Sequence, residues 1–126
     1  MKNNRNDQET AQNAGRTGED YTAIWLESHG YSIVERNYHS RFGEIDIIAR
    51  DSQYIVFVEV KTRAGGAMVS AVEAVTPNKQ RKILLTAQVY LQKSPCALQP
   101  RFDVAAVTTL HGEPMGLKYF ANAFGC

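Results

Sequence analysis

Two acidic residues, Asp46 and Glu59, have the clearest chemical potential in this sequence. They lie in two segments, 43–50 and 54–63, that are rich in Ile and Val and are typical of β-strands. The short polar connection at 51–53 predicts that the strands form an antiparallel hairpin. In such a hairpin Asp46 lies directly opposite Glu59. Two like charges at opposed positions destabilise a sheet, so the pair requires a cation.

The register of the hairpin follows from its tight turn. A turn that opposes Arg50 to Ile55 also places Ile48 opposite Phe57. One face of the hairpin is then wholly apolar and is predicted to be the core; its residues are Ile45, Ile47, Ala49, Val56, Val58 and Val60. The opposite face collects four charged residues, with Glu44 facing Lys61 and Asp46 facing Glu59.

The residues alone leave the identity of the cation open. Lys61 is one candidate. A divalent metal such as Mg²⁺ or Mn²⁺ is another, because hard cations prefer carboxylate oxygens. The structural alternative is a surface cluster of charges that Lys61, Arg41 and water neutralise.

The elements before the hairpin are predicted to be a tail and a helix. Residues 1–16 have no periodic apolar position, which predicts a flexible polar tail before a single domain at 17–126. The apolar spacing that follows predicts a helix over 18–29. Thr17 and Asp20 have the spacing of a capping box at its start.

The elements around the hairpin complete the expected fold. They are strands at 31–38 and 102–110, a short helix at 69–75, a helix capped by Thr76 with Pro77 in its first position, and a closing strand or turn at 115–124. The main helix has an apolar stripe of Ile83, Ala87, Tyr90 and Leu91. The order of helix, three strands, helix and strand predicts an α/β domain with a mixed sheet.

Composition excludes several classes of protein. The chain has 126 residues, of which 44% are hydrophobic and 21% charged, as in a single globular domain. Two cysteines are too few for a disulfide framework. No apolar run approaches the roughly 20 residues that span a bilayer, and the first residues contain no apolar leader. We therefore expect a cytoplasmic protein with no membrane partner.

Charge is distributed unevenly, although the net charge is only +1. Between positions 60 and 102 a single acid, Glu73, lies among seven basic residues: Lys61, Arg63, Lys79, Arg81, Lys82, Lys93 and Arg101. A basic stretch beside the acidic segment 19–59 suits a polyanion on one side and a cation on the other. Two solvated faces of opposite charge are the alternative.

Asp46, followed thirteen positions later by Glu59-Val60-Lys61, resembles the Asp…Glu-x-Lys signature of the restriction-endonuclease-like nuclease superfamily. An acid in the preceding helix, followed by a strand hairpin and a helix, is similar to the archaeal Holliday-junction-resolvase branch. More narrowly, three segments look like the YraN family of small bacterial proteins: Gly43–Ile48, Phe57–Arg63 and Arg101–Val104. The likeness extends over roughly 15–124.

The resemblance implies a fold, an activity and a cofactor. The fold is a restriction-endonuclease-like mixed β-sheet flanked by helices. The activity is hydrolysis of DNA phosphodiester bonds by an endonuclease that uses Mg²⁺ or Mn²⁺, and the resolvase likeness points to branched or structured DNA. Related nucleases often dimerise to cut two strands, so a homodimer is among the expectations, although no interface pattern is visible.

The resemblance also implies roles for individual residues. Asp46, Glu59 and the backbone carbonyl of Val60 bind the metal, and Lys61 orients or deprotonates the attacking water. Glu19 matches the upstream acid that completes the site. Its alternative role is stabilisation of a helix N-terminus, where acids favour the macrodipole.

Other charged residues are assigned from the pattern. Glu44 is a candidate support for the metal ligands or a partner of Lys61. Lys79 precedes Ile83 by one helical turn and is expected to point at the site and bind a phosphate. Three further basic residues suit sequence-independent phosphate contacts, with ordinary surface charge as the alternative: Arg63, Arg81 and Lys82.

Two functions without catalysis compete with the nuclease. One is a nucleic-acid-binding module that keeps the nuclease fold. The other is a protein-interaction domain whose acidic cluster is structural. Binding alone does not require Glu19, Asp46, Glu59 and Lys61 together, so the set favours an enzyme.

Overall fold

The structure, a computed structural model, describes residues 7–65 and 72–125, with side chains from Thr17 onward. Its elements are helix α1 (Asp7–Ser28), strands β1 (Ser32–Ser40), β2 (Gly43–Arg50) and β3 (Tyr54–Ala64), helix α2 (Pro77–Lys93), and strands β4 (Gln99–Leu110) and β5 (Glu113–Phe124). The strands form one sheet in the order β1-β2-β3-β4-β5. Within these ranges neither helix is both long and apolar enough to cross a membrane.

The sheet is mixed because one of its connections is a crossover. β1, β2 and β3 pair antiparallel, and so do β4 and β5. β3 and β4 run parallel over eleven residue pairs, and α2 lies in the connection between them. Parallel neighbours require such a crossover. The predicted α/β fold, a mixed sheet flanked by helices, is confirmed.

Helices pack on both faces of the sheet, so the core has two parts. On the α1 face, Leu26 packs in one cluster with Ile47 and Val58. On the α2 face, Phe57 and Tyr90 belong to a second cluster. The hairpin face predicted to be the core is therefore only one of two buried faces. Strand β3 is covered on both sides, as is usual for a strand with a parallel neighbour.

One predicted core residue lies on the other face. Ile45 packs in the α2 cluster with Ile48, whereas Ile47 packs in the α1 cluster. Residues two apart in a regular strand share a face, so the alternation breaks between Ile45 and Ile47. Asp46 is the residue at this break.

Helix α1 begins earlier than predicted. It starts at Asp7, not at Gly18, so Thr17 lies inside the helix and the predicted capping box is wrong. Residues 7–16 contain several Gln, Glu and Ala, which have good helix propensity and extend a helix without an apolar stripe. Residues 1–6 lie outside the described residues.

Helix α2 forms as its sequence predicts. Thr76 is the N-cap, its side chain accepts a hydrogen bond from the backbone N–H of Lys79 at 3.3 Å, and Pro77 occupies the first turn. Ile83 and Tyr90 are buried against the sheet. The short helix predicted at 69–75 lies partly outside the described residues, and its end at 72–75 is a turn.

Strand boundaries differ from prediction by a few residues. β1 covers 32–40 instead of 31–38, and β4 begins at Gln99 instead of 102. The segment predicted as a closing strand or turn is the strand β5. His111 and Gly112 both have positive φ, 55° and 81°, which gives the tight β4–β5 turn the twist that hairpins prefer.

A fully buried carboxylate joins β4 to β5. Asp103 is 0% exposed and accepts hydrogen bonds from Arg101 at 3.0 and 2.8 Å, from the Tyr119 hydroxyl at 2.6 Å and from the backbone N–H of Asn122 at 2.8 Å. Arg101 also donates to the Tyr31 hydroxyl at 2.7 Å. Asp103 is thus paired with Arg101, two residues before it on the same strand. A buried charge requires partners of this kind.

Removal of the Asp103 carboxylate should destabilise the protein strongly. Asp103→Ala leaves the Arg101 charge unpaired in a largely buried position, and we expect a loss of about 3–5 kcal/mol in the free energy of unfolding. Tyr119→Phe removes one hydrogen bond and should cost about 1 kcal/mol. Urea unfolding monitored by Trp25 fluorescence measures both. A loss below that of Tyr119→Phe in the alanine variant would contradict this assignment.

Candidate active site

The site lies where strands β2 and β3 stop pairing regularly. The register of the hairpin is as predicted, with Arg50 opposite Ile55, and the last ladder pair is Ile47 with Val58. Just beyond it, Asp46 Oδ2 accepts a hydrogen bond from the Val60 backbone N–H at 2.7 Å. Asp46 is therefore held by the main chain of β3.

Glu59 is buried in the sheet and paired with two lysines. The residue is 6% exposed, and its Oε2 lies 2.9 Å from Lys79 Nζ and 3.4 Å from Lys61 Nζ. Lys61 is thus a cationic partner of the acidic pair, as one of the alternatives predicts. Arg41 instead places its guanidinium over the Phe42 ring, 4.9 Å from the centroid.

The two acids and the two lysines line an open cleft of about 550 Å³, which lies between the end of the hairpin and the first turns of α2. Seven of the predicted site residues line it: Glu44, Asp46, Glu59, Val60, Lys61, Lys79 and Lys82. Gly43, Thr76, Asn78 and Ile83 complete the wall. The cleft is therefore made by the hairpin on one side and by α2 on the other.

Three predicted site residues lie outside this wall. Arg81 is exposed on α2, and Arg63 donates to the Thr62 carbonyl at 3.2 Å. Glu19 is paired with Arg36 at 3.5 Å. The structure therefore brings most of the predicted set together but separates these three from the cleft wall.

Glu19 is nevertheless an electrostatic neighbour of the cleft. Its negative charge is one of the influences that raise the pKa of Asp46. Burial also raises the pKa of Glu19 itself, against the opposing effect of Arg36. Helix α1 can approach this end of β3 because Gly18 has no side chain; a Cβ there would overlap the Thr62 hydroxyl.

Burial and like charge make the Asp46 carboxyl hard to ionise. Burial, and then the negative charge of Glu59, raise the pKa of Asp46 to about 7 against the opposing hydrogen bond from Val60. Burial also lowers the pKa of Lys61, with a contribution from Lys79 beside it. The pKa of Lys79 is raised: burial lowers it, but the contact with Glu59 outweighs burial.

The donors in the cleft fit a hard divalent cation. Within residues 7–65 and 72–125 there is no group of three or more His, Cys, Asp or Glu side chains that could hold a metal ion. Mg²⁺, however, is commonly bound through one or two carboxylates, with water and phosphate oxygens as its other ligands. Asp46, Glu59 and the Val60 carbonyl supply only oxygen, and a cation would offset the repulsion between the two acids.

The residues that the sequence did not indicate come mostly from α2. Thr76 and Asn78 line the cleft because the first turn of α2 lies above the end of the hairpin. Lys79 was expected near the site, but its contact with Glu59 was not. The sequence predicted the N-cap of α2. The position of α2 over the hairpin could not be predicted, because it depends on the path of the crossover between β3 and β4.

Comparison with known proteins shows the family. Residues 18–107 match the family model described as "Uncharacterised protein family UPF0102". A UPF0102 protein of Dichelobacter nodosus is 46% identical over 101 residues, 79% of each chain. A UPF0102 protein of Rhodococcus jostii is 44% identical over 111 residues, 87% of this chain and 94% of the relative. One from Clostridium botulinum is 45% identical over 114 residues, 87% of this chain and 92% of the relative.

The fold and the cleft define an α/β protein with a mixed sheet and two acids, a half-buried Asp46 and a buried Glu59, beside two lysines. The chain belongs to the UPF0102 family. This is the YraN-like family that its three sequence segments resemble.

The pKa of Asp46 predicts how stability depends on pH without metal. Because this pKa rises from 3.8 to about 7 on folding, the folded state binds more protons than the unfolded state between these values. Stability should therefore fall as pH rises from 4 to 7. Asp46→Asn keeps an acceptor for the Val60 N–H without the charge, and should stabilise the protein at pH 8 by up to about 4 kcal/mol.

Urea unfolding in the presence of a chelator, at pH 5 and pH 8, measures this effect. Glu113→Gln is the matched control, because Glu113 is exposed on β5 and does not line the cleft, and it should change stability by less than about 0.5 kcal/mol. Equal pH profiles for wild type and Asp46→Asn would show that ionisation of Asp46 does not cause the loss of stability at high pH.

Proposed function

We propose that this protein is a metal-dependent endonuclease that hydrolyses phosphodiester bonds in DNA. The observation that carries the proposal is the juxtaposition of Asp46, Glu59 and Lys61 at one end of the hairpin. Two acids are held together in the wall of an open cleft despite their repulsion, and a lysine contacts one of them at 3.4 Å. A purely structural role does not require this arrangement.

We also propose that the domain belongs to the restriction-endonuclease-like superfamily, in the Holliday-junction-resolvase branch. The order of a helix with an acid, a strand hairpin and a crossover helix supports this placement. The position of Asp46 beside the backbone of Glu59-Val60-Lys61 supports it further.

The chain's own residues would divide the work of hydrolysis. Asp46, Glu59 and the Val60 carbonyl would hold Mg²⁺ or Mn²⁺. Such a cation, when bound, polarises a phosphoryl oxygen and acidifies water. Lys61 is oriented by its contact with Glu59, and burial lowers its pKa, which suits a group that positions the attacking water and takes its proton.

The substrate is proposed to be DNA because basic residues surround the cleft. Lys79 and Lys82 line it, and Arg81 and Arg63 lie within two residues of lining lysines in the chain. Contacts of this kind bind phosphates independently of sequence. We further propose a branched or structured substrate, action in the cytoplasm and a homodimer that cuts two strands.

A non-catalytic nucleic-acid-binding module is the second candidate. It is favoured by the ion pairs of Glu59, whose charge Lys79 and Lys61 already offset without any metal. In that case the acidic pair is a structural element, and the basic residues alone have a function. A protein-interaction domain, the third reading, predicts neither metal binding nor salt-dependent DNA binding.

Substitution of the acidic pair separates an enzyme from a binding module. We expect Asp46→Asn and Glu59→Gln to abolish Mn²⁺-dependent cleavage of a labelled four-way DNA junction while DNA binding is largely kept. Lys61→Met should lower the rate at least about 100-fold, in the range typical of proton-transfer groups. Rates are measured by gel electrophoresis of the cleaved strands, beside a linear duplex.

Glu113→Gln and Lys118→Met are the matched controls, because both residues are exposed on β5. Both control variants should cleave the junction at the wild-type rate. Cleavage that persists at the wild-type rate in Glu59→Gln would come from a contaminating nuclease and would remove the support for catalysis.

The basic wall of the cleft should contribute to DNA affinity through phosphates. Lys82→Ala should weaken binding of the junction, and the slope of log affinity against log salt should fall by about 1. Fluorescence anisotropy at several salt concentrations measures the slope, with Lys118→Ala as the control. An unchanged slope in Lys82→Ala would place the DNA elsewhere on the surface.

A further inference from the structure

Lys79 and Lys61 contact the same oxygen of Glu59, but their side chains differ in solvent exposure. The side chain of Lys61 is 16% exposed, whereas that of Lys79 is 43% exposed. Lys79 nevertheless makes the shorter contact, 2.9 Å against 3.4 Å. It extends from the first turn of α2 on a flexible four-carbon stem, so it can leave Glu59 without disturbing the sheet.

A metal ion bound by Glu59 and Asp46 would compete with the Lys79 ammonium. The metal ion and the ammonium group would need the same Glu59 carboxylate. Two cations bound to one carboxylate also repel each other. Lys61 is the less exposed of the two lysines and has less room to move. Lys79 is therefore the lysine that leaves Glu59 when a metal ion binds. Its ammonium group can then contact solvent or a phosphate in the cleft that it lines.

We propose that Lys79 changes its ion-pair partner when a divalent metal binds. In the metal-free protein its ammonium group neutralises Glu59. When the metal binds, the Lys79 side chain leaves Glu59 and its ammonium group contacts a DNA phosphate. The phosphate part of this inference rests on the proposed function. The exchange at Glu59 rests on the ion pair itself.

The exchange couples metal binding to DNA binding. Without metal, Lys79 is engaged by Glu59 and adds little to DNA affinity. With metal, it is released to a phosphate and adds a contact. Since coupling between two ligands is reciprocal, DNA should also tighten metal binding.

The metal arm of the test uses Mn²⁺ alone, titrated calorimetrically into the full chain without DNA. We expect Lys79→Ala to bind Mn²⁺ about fivefold more tightly than wild type, since about 1 kcal/mol of ion pairing no longer opposes the metal. Lys79→Arg keeps a cation and should stay near the wild-type affinity.

Lys82→Ala is the matched control, because Lys82 lines the same cleft but is exposed. It removes the same charge, and it should change Mn²⁺ affinity by less than about twofold because exposed charges are screened. Equal Mn²⁺ affinities in Lys79→Ala and wild type, or an equal gain in Lys82→Ala, would overturn the exchange at Glu59. Thermal unfolding of each variant verifies that it folds.

The DNA arm measures anisotropy of a labelled four-way junction with Ca²⁺ and with a chelator. We expect Ca²⁺ to tighten binding by wild type more than binding by Lys79→Ala, with at least about a threefold difference between the two ratios. Equal ratios would overturn the transfer to phosphate.

The two proposals fail in different ways. Mn²⁺ binding that is equal in all variants removes the role of Lys79 and leaves the proposed nuclease standing. Mn²⁺ binding that strengthens in Lys79→Ala, with no DNA binding by any variant, supports the exchange at Glu59 and removes DNA as the substrate. Absence of Mn²⁺ binding in every variant removes both.

Discussion

The burial of the Glu59 carboxylate is the constraint on which the arrangement of this end of the molecule depends. The residue belongs to β3, a strand whose neighbouring positions are apolar and covered by helices on both faces. A carboxylate in such a place requires opposite charge nearby. Lys61 on the same strand and Lys79 on α2 provide it, which links the hairpin to the crossover helix.

Asp46 adds a second acid to this position through an interruption of the sheet. The side-chain alternation of β2 breaks around it, and its carboxylate satisfies the Val60 N–H instead of a strand partner. Burial, and then the nearby negative charge of Glu59, raise the pKa of Asp46. Interruptions of this kind often redirect a side chain towards a functional site.

Local patterns predicted the elements better than the contacts between them. The turn fixed the hairpin register, and Thr76-Pro77 marked the start of α2, because both depend on neighbours in the chain. The predicted start of α1 was wrong, since polar residues of good helix propensity give no apolar period. The assignment of Ile45 to the same face as Ile47 was wrong because a regular alternation was assumed through Asp46.

By itself, the sequence determined the α/β class, the pairing of the hairpin and the presence of Asp46, Glu59 and Lys61 at its end. These follow from the period-two alternation of a strand and the geometry of a short turn. Only the tertiary structure decided that α2 forms one wall of the cleft, that Lys79 reaches Glu59, and that Glu19 pairs with Arg36 outside the cleft wall. Those contacts join residues far apart in the chain, and their positions depend on how helices of either face pack against the finished sheet.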